Sequence, residues 1–395
     1  MRTGWIKIIL LGAAVAGCNS VKPTDTQSEM AQKQWSQARS GVLATLASDQ
    51  YRNGNFDKCQ ATLDEALRLT PDNGNLHILG ARLAIEQGSL ETAEKHLEQA
   101  KKFDPVNPEA DYLTGVVLQR WQQPQQAYEA YDAAVKKNPD ELAYLMAKAE
   151  MLVVLNRPGE ALELLQTKVV YFEHSAAIRD AVGQLLVQQG RYAEGVATLR
   201  QASILAGEDQ TIREHLALAL YYSKQYADAA DDFVALLKDP AYTKRADLFA
   251  ALGECQCQCG HLPEARESLE TATDLDASCA GYWLSLGRVA LQSNDLLRAE
   301  MAAGRALKIE ADSSEAQCLL GYVRLRQGKF QQALTAFAAA GRIDPADTVS
   351  ICMQGYVLEK MGRVAEATRF YEQALKIKPK DSLASQLLAS DELAQ

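Results

Sequence analysis

The residues from Ser314 to Pro345 alternate apolar and polar side chains in a pattern that predicts two short amphipathic helices. The second helix places its apolar residues three and four positions apart, on one face: Phe330, Ala333, Leu334, Phe337 and Ala340. Gly328 and Lys329 separate it from a first helix that carries Leu319, Leu320, Val323 and Leu325. Two helices of about three turns bury little surface alone, so this unit requires a neighbour on each side.

The same unit recurs along most of the chain, and the ten positions equivalent to Ala333 all hold a small residue. They are Cys59, Ala93, Ala127, Ala161, Gly195, Ala229, Ala265, Ala299, Ala333 and Ala367. Eight of the nine intervals between them are 34 residues, and one, from Ala229 to Ala265, is 36. A second column of small residues lies in the first helices: Ala47, Ala81, Gly115, Ala149, Gly183, Ala217, Gly253, Gly287, Gly321 and Gly355. Small residues in register predict close helix crossings, where a larger side chain would clash.

A third column is large and apolar except at Ala303: Leu63, Leu97, Tyr131, Leu165, Leu199, Phe233, Leu269, Phe337 and Tyr371. The combined pattern resembles the tetratricopeptide repeat (TPR) family, in ten copies. The second repeat carries the family residues as Ala81, Gly88, Leu90, Ala93, Leu97, Ala100 and Pro105. The tenth carries them as Gly355, Gly362, Val364, Ala367, Tyr371, Ala374 and Pro379. The resemblance implies an all-α superhelical solenoid of helix-turn-helix repeats with a C-terminal capping helix.

The repeats divide the chain into four segments. Residues 1–17 are expected to be a lipoprotein signal peptide, and residues 18–39 a lipidated cysteine, a polar tether and a lead-in helix. The tether should run from Asn19 to Ser28, with helix from Glu29. The repeats occupy residues 40–381, with starts near 40, 74, 108, 142, 176, 210, 246, 280, 314 and 348. Residues 382–395 are predicted to form a helix that covers the open end with a polar outer face.

The N-terminal segment points to a membrane anchor. Arg2 and Lys7 precede the apolar run Ile8–Ala16, which is too short to span a bilayer and is typical of a secretory signal. The run Val15-Ala16-Gly17-Cys18 resembles the lipobox of bacterial lipoproteins, which implies cleavage before Cys18 and its diacylation. Asn19 then implies transfer to the outer membrane, with the chain facing the periplasm. Two alternatives are an ordinary signal peptide with a chance cysteine and a cytoplasmic protein with an apolar start.

The charge balance excludes one class of partner. The formal net charge is −10, and no cluster of lysine and arginine interrupts the acidic surface. Nucleic acid is therefore repelled on average, and we expect no nucleic-acid partner.

No catalytic motif is present, so the sequence predicts neither an enzyme nor a cofactor. The five histidines occupy unrelated repeat positions, where an exposed or hydrogen-bonded role is the simpler interpretation. Cys255, Cys257 and Cys259 suggest a metal site, but on a helix Cys257 points about 200° away from Cys255. Cys255 falls in a column of buried apolar residues, which favours a packing role and no metal. The sequence leaves a redox or metal role of these three thiols open.

The resemblance implies that the first helices line a concave groove. The residues expected there are Arg82, Tyr112, Glu150, Asp180, Gln184, Glu214, Tyr221, Glu254, Arg288, Tyr322 and Tyr356. Tyrosines suit protein recognition, and the acidic middle of the groove favours a basic partner segment. The alternative is that these residues only pack and solvate the helices. Lys, Asn and Arg are absent from the positions that capture EEVD-type tails in chaperone-binding members of the family.

Together these features predict a lipid-anchored scaffold that binds protein or peptide partners in its groove, in assembly of an envelope machine such as a pilus or secretion system. A scaffold of polysaccharide export, or a groove that binds glycan directly, is the alternative. Both readings depend on analogy with the family, because a fold does not fix a function. The partner, the envelope system and the oligomeric state remain open.

Overall fold

A computed structural model describes residues 25–394 of the chain and the side chains of residues 28–389. Within residues 25–394 the chain forms 21 α-helices and no strand. The described residues divide into two compact units, 25–161 and 162–394. The all-α repeat fold expected from the sequence is therefore confirmed.

The helices of the first unit are α1 (Asp25–Arg52), α2 (Phe56–Leu69), α3 (Gly74–Glu86), α4 (Leu90–Phe103), α5 (Pro108–Arg120), α6 (Pro124–Lys137) and α7 (Leu142–Val154). The boundary between the units lies within α8 (Pro158–Lys168). The helices of the second unit are α9 (Ala176–Gln188), α10 (Tyr192–Ala206), α11 (Gln210–Tyr222), α12 (Tyr226–Leu236), α13 (Ala246–Gln258), α14 (Leu262–Leu275), α15 (Ala280–Gln292), α16 (Leu296–Ile309), α17 (Ser314–Arg326), α18 (Phe330–Ile343), α19 (Thr348–Lys360), α20 (Val364–Ile377) and α21 (Ser382–Ala394).

The helices alternate in role along the chain. The odd-numbered helices α1 to α19 are called first helices, and the even-numbered helices α2 to α20 second helices. Within each unit a first helix packs along the second helix that follows it, and that second helix packs on the next first helix. Glycines in the left-handed region end several first helices, for example Gly88 at φ 73° and Gly328 at φ 73°.

The small-residue columns lie where helices cross. Ala93, Ala229 and Ala333 are fully buried, and Cys59 fills the same place in the first repeat. A Cβ atom built on Gly115 would lie 2.4 Å from the ring of Tyr131. The large column supplies the largest buried side chains, among them Tyr131, Phe233 and Phe337. The repeat therefore seats one large side chain of each second helix against a small residue of the preceding first helix.

Two glycines of the second unit give opposite predictions for substitution by alanine. A Cβ atom at Gly253 would lie 2.6 Å from Leu269 Cγ and 3.0 Å from the carbonyl oxygen of Ala265. Gly253→Ala should lower the free energy of unfolding by about 1–3 kcal/mol, because the backbone oxygen cannot move aside cheaply. A Cβ atom built on Gly304, inside α16, would meet no neighbouring atom within 4 Å. Gly304→Ala should therefore raise the free energy of unfolding by about 0.5–1 kcal/mol. Urea unfolding checks both, and shifts of the same sign would contradict this packing.

The two ends of the described chain differ. The tether predicted for residues 19–28 is wrong from Asp25 onward, because α1 already begins there, and it continues unbroken to Arg52. No proline or glycine interrupts residues 25–40, so nothing stops the helix from extending. At the other end α21 packs Leu383 and Leu387 over Ile351 and the fully buried Cys352. Asp381 caps α21, since its Oδ1 accepts from the Ala384 amide at 3.0 Å.

Candidate functional site

In the first unit the predicted groove residues lie on the first helices α3, α5 and α7. Arg82 forms an ion pair with Glu109 of α5. The Tyr112 ring lies 4.9 Å from the ring of Tyr144, measured between centroids. Sequence analysis did not select Tyr144, which lies in α7, the first helix of the next repeat, with its ring tilted by 33° to that of Tyr112.

Glu150 of α7 is an exposed carboxylate. Gln119 Nε2 donates to its Oε1 at 2.9 Å. The Gln119 side-chain oxygen in turn accepts from the buried Tyr131 hydroxyl at 2.7 Å. Neither Gln119 nor Tyr131 carries a positive charge, so Glu150 has no cationic partner in this group of hydrogen bonds.

In the second unit Asp180 and Gln184 lie one turn apart on α9. Gln184 Nε2 donates to Asp180 Oδ2 at 2.7 Å. Asp180 Oδ1 lies 2.7 Å from His215 Nδ1, a residue of α11 that sequence analysis passed over. The hydrogen bond to Asp180 raises the pKa of His215, against the opposing effect of burial. This pair ties neighbouring first helices together.

Glu214 is also engaged within the chain. Arg245, immediately before α13, donates from Nη2 to Glu214 at 2.7 Å and to Asp247 at 2.7 Å. The hydrogen bond from Arg245 lowers the pKa of Asp247. Arg245 lies in the loop between α12 and α13, within the one repeat interval that is 36 residues long. This loop therefore places a positive charge beside Glu214 and Asp247.

Tyr221, Glu254 and Arg288 converge on one cavity. The Tyr221 hydroxyl donates to Glu254 Oε2, and Ser285 Oγ donates to Glu254 Oε1 at 2.6 Å. Arg288 Nη2 reaches the same oxygen at 3.3 Å. Burial, and then the bond to Glu254, raise the pKa of Tyr221. The cavity of about 250 Å³ beside them is further lined by Tyr226, Cys257, Gln258, Leu269, Val289 and Gln292.

The last two predicted tyrosines differ in role. Tyr322 packs edge-on against Phe337 at 5.2 Å, and burial raises its pKa to about 12. It is therefore largely a core residue. Tyr356 lies beneath Lys360, whose Nζ is 5.0 Å from the ring centroid.

The cysteines lie as separate thiols. Cys255 is fully buried, and burial raises its pKa to about 12. Cys257 Sγ donates to Gln292 at 3.3 Å, and Cys259 is exposed. In residues 25–394 no three His, Cys, Asp or Glu side chains gather as a metal site would require. Cys18 and the predicted signal segment lie outside the described residues.

Three carboxylates in the acidic middle of the predicted groove have hydrogen-bonding or ion-pair partners inside the chain. Asp180 meets His215, Glu214 meets Arg245, and Glu254 meets Arg288. These carboxylates order the first helices and leave a face of tyrosine, amide and paired charge. Such a face offers hydrogen-bond donors, hydrogen-bond acceptors and flat aromatic surface to a bound peptide chain.

A second feature that sequence analysis missed is the histidine pair of the first unit. His77 Nδ1 lies 3.2 Å from His96 Nδ1, and His77 Nε2 lies 2.9 Å from the carbonyl oxygen of Pro71. Burial lowers the pKa of His96, with His77 as the second cause. The pair joins α3 to α4 and is part of the packing.

Family models described as "Tetratricopeptide repeat" match residues 50–115, 182–253, 259–316 and 349–381, which is more than half of the chain. A model described as "Anaphase-promoting complex, cyclosome, subunit 3" matches residues 86–168. Together with the repeat columns and the helix pairs, these matches show that the chain belongs to the tetratricopeptide repeat family.

Individual relatives are more distant. BBSome complex member BBS4 of Bos taurus is 23% identical over 221 residues, which is 56% of this chain and 42% of that protein. The chain thus spans less than half of that relative's length. Among solved structures, the APC/C hetero-tetramer Cut9–Hcn1 matches at 13% identity over 92% of this chain and 99% of its own, with a TM-score of 0.47. MamA matches at 24% identity over 44% and 94%, with a TM-score of 0.39. YrrB, titled a TPR protein with an unusual peptide-binding site, matches at 20% identity over 48% and 96%, with a TM-score of 0.38.

No helix within residues 25–394 has the length and apolar character that crossing a membrane requires.

Proposed function

We propose that this protein is a lipid-anchored scaffold of a bacterial envelope, which binds a protein partner on its first helices and serves the assembly of a machine such as a pilus or secretion system. In this proposal the acylated Cys18 anchors the protein in the outer membrane, and the repeats face the periplasm. The assembly role rests on analogy within the family of repeat scaffolds.

One observation carries the binding proposal. The cavity beside Tyr221, Glu254 and Arg288 opens on the first helices, and Gln258 and Gln292 line it. Gln258 and Gln292 are both exposed. Packing does not require exposed amides and an arginine at these places, whereas a bound peptide would use them as hydrogen-bond partners.

Site-specific photo-crosslinking in the cells that express the protein tests this proposal. A photoreactive amino acid replaces Gln184 on α9 or Gln258 on α13, both exposed residues of first helices. The expected result is a protein adduct from each of these sites after irradiation, which mass spectrometry of the adduct then identifies.

The matched controls are Gln201 on α10 and Gln331 on α18, which are exposed glutamines of second helices. They test whether an adduct depends on the face and not on exposure alone. Adducts of equal yield from all four sites, or adducts from the second helices only, would show that the partner does not bind specifically on the first helices. Either result would overturn the proposal.

A glycan-binding function is the second candidate, and exposed tyrosines favour it. Tyr192 and Tyr222 are stacked in the second unit, with centroids 5.9 Å apart and planes inclined by 20°. Both are exposed, Tyr192 at 37% and Tyr222 at 50%. Flat aromatic surface of this kind also suits sugar rings, whether the protein binds glycan itself or assists polysaccharide export. Shifts of tyrosine ring signals on addition of soluble oligosaccharide, without protein adducts at Gln184 and Gln258, would favour it.

A further inference from the structure

The charged groups in the cavity beside Tyr221, Glu254 and Arg288 are engaged with one another. Glu254 accepts hydrogen bonds from the Tyr221 hydroxyl and from Ser285 Oγ, the second at 2.6 Å. Arg288 Nη2 donates to Glu254 at 3.3 Å and to Ser285 Oγ at 2.9 Å. Glu254 and Arg288 also form an ion pair, so their formal charges cancel within the cavity. An occupant of the cavity therefore meets a carboxylate that already has three donors.

Two exposed glutamines that line the same cavity have unused hydrogen-bonding groups. Gln258 and Gln292 are equivalent residues one 34-residue repeat apart, at the ends of α13 and α15. Cys257 Sγ donates to Gln292 Oε1 at 3.3 Å, whereas Gln292 Nε2 has no hydrogen-bond partner among the described residues. Within residues 28–389 the Gln258 amide has no partner at either of its ends. Since each amide nitrogen carries two N–H groups, the glutamines offer more donors than acceptors.

The inner lining of the cavity is partly apolar. Leu269 is fully buried and Val289 is 2% exposed, and both line the cavity together with Tyr226. The volume of about 250 Å³ is large enough for a whole side chain and not only for a single water molecule. An occupant that matches both parts of the lining has a short apolar stem and a polar end that accepts hydrogen bonds.

A charged end is disfavoured in this cavity. A lysine would add three donors to a site that already has donors in excess, and it would stand beside the Arg288 guanidinium. A carboxylate would stand beside Glu254, and Glu315 lies 3.7 Å from Arg288 Nη1 as a further negative charge. An apolar end would remove the Gln292 N–H groups from water without replacing their hydrogen bonds.

A primary amide avoids each of these costs. Its oxygen accepts from Gln292 Nε2 or from the outer N–H groups of Arg288, and its nitrogen donates to the Gln258 oxygen. The one or two methylene groups of an asparagine or glutamine side chain provide the stem that packs on Leu269 and Val289. A serine or threonine hydroxyl has a shorter stem and would leave most of the cavity to water.

We propose that the partner inserts the side chain of an asparagine or glutamine into this cavity, so that the second unit recognises an uncharged polar segment. The inference rests on the proposed function, because it names the chemistry of the partner that the first helices bind. It differs from the basic segment expected from the sequence, since Glu254, which would attract a cation, is already paired with Arg288.

Selection of random phage-displayed peptides on the purified full chain tests this proposal. The expected result is enrichment of asparagine or glutamine at one position of the selected peptides. Fluorescence anisotropy of an enriched, dye-labelled peptide then measures its dissociation constant. Replacing the enriched residue of the peptide by leucine, lysine or glutamate should raise that constant about tenfold or more, because donors in the cavity lose their acceptor.

Variants of the protein assign the effect to the cavity. Gln292→Leu removes two donors and should weaken binding of the enriched peptide about tenfold. Gln188→Leu is the matched control, since Gln188 is exposed at the same repeat position on α9 and does not line this cavity. Gln292→Glu replaces the donors by acceptors, so selection on this variant should shift toward lysine or arginine. Because both positions are exposed, circular dichroism should be unchanged in all three variants.

Three outcomes would contradict the inference. Enrichment of charged, apolar or hydroxyl-bearing side chains would overturn it, and so would equal affinities of Gln292→Leu and Gln188→Leu for the enriched peptide. Either result would leave a partner on the first helices in place, because failure of the proposed function is measured separately, by photo-crosslinking that does not distinguish first from second helices. A library without any enriched peptide would contradict both the inference and the proposed function.

Discussion

Replacing Ala229 by arginine is expected to lower the free energy of unfolding of the second unit by about 4 kcal/mol or more. Ala229 is fully buried in α12, in a cluster with Leu199, Leu216 and Phe233. A guanidinium at this crossing would be removed from water among apolar side chains, so it must separate the helices or remain poorly compensated. Because each repeat is stabilised mainly by its neighbours, the damage should spread along α10 to α13.

Ala227→Arg is the matched control, since Ala227 lies in the same helix two residues earlier and is exposed. We expect its effect to stay within about 0.5 kcal/mol. Urea unfolding followed by circular dichroism measures both variants. Equal midpoints for Ala229→Arg and Ala227→Arg would show that the small-residue column does not lie at helix crossings.

The fold could be predicted from the sequence because small and large apolar residues recur at a fixed interval. A 34-residue step fixes which residues are equivalent, and burial then follows from the column: Ala303, small where its column is large, is still fully buried. The start of α1 was harder to predict, because polar residues such as Asp25 and Ser28 suit a helix as well as a tether. The repeat period predicts nothing about residues that lie outside the repeats.

The candidate site was predicted only in outline. Position along the first helices selected Tyr221 and Glu254 but not the hydrogen bond between them, and it selected Asp180 without His215. These partners are 33 and 35 residues apart, close to one repeat. A search for complementary side chains one period apart would have found both pairs. Arg245 escapes even that search, because it lies in the lengthened loop, where the register of the repeat is interrupted.

The internal pairing also changes how the groove is understood. Sequence alone counts Glu214 and Glu254 as negative charges available to a basic partner. In the structure each carboxylate already has an arginine, so a partner's lysine must compete with an existing ion pair. Half-exposed pairs of this kind contribute little stability, and their stronger effect is on orientation and specificity. Glu150, with only an amide partner, is the better place for a basic side chain.

Replacing Cys18 by serine is expected to abolish acylation and to move the protein out of the membrane fraction by about tenfold or more. The physical reason is that two acyl chains bury many methylene groups, at about 0.8 kcal/mol each, whereas a serine offers none. A release from membranes would therefore support Cys18 as the attachment point.

The decisive measurement is metabolic labelling with a palmitate analogue, combined with fractionation of membranes, because an uncleaved signal segment could hold the variant at the membrane without lipid. Label should appear on the unsubstituted chain and be lost in Cys18→Ser. Cys259→Ser is the matched control, since Cys259 is an exposed thiol at the end of α13 and should keep both label and location. An unsubstituted chain that is cleaved but carries no label would instead fit an ordinary secretory signal, and would leave the scaffold free in the periplasm.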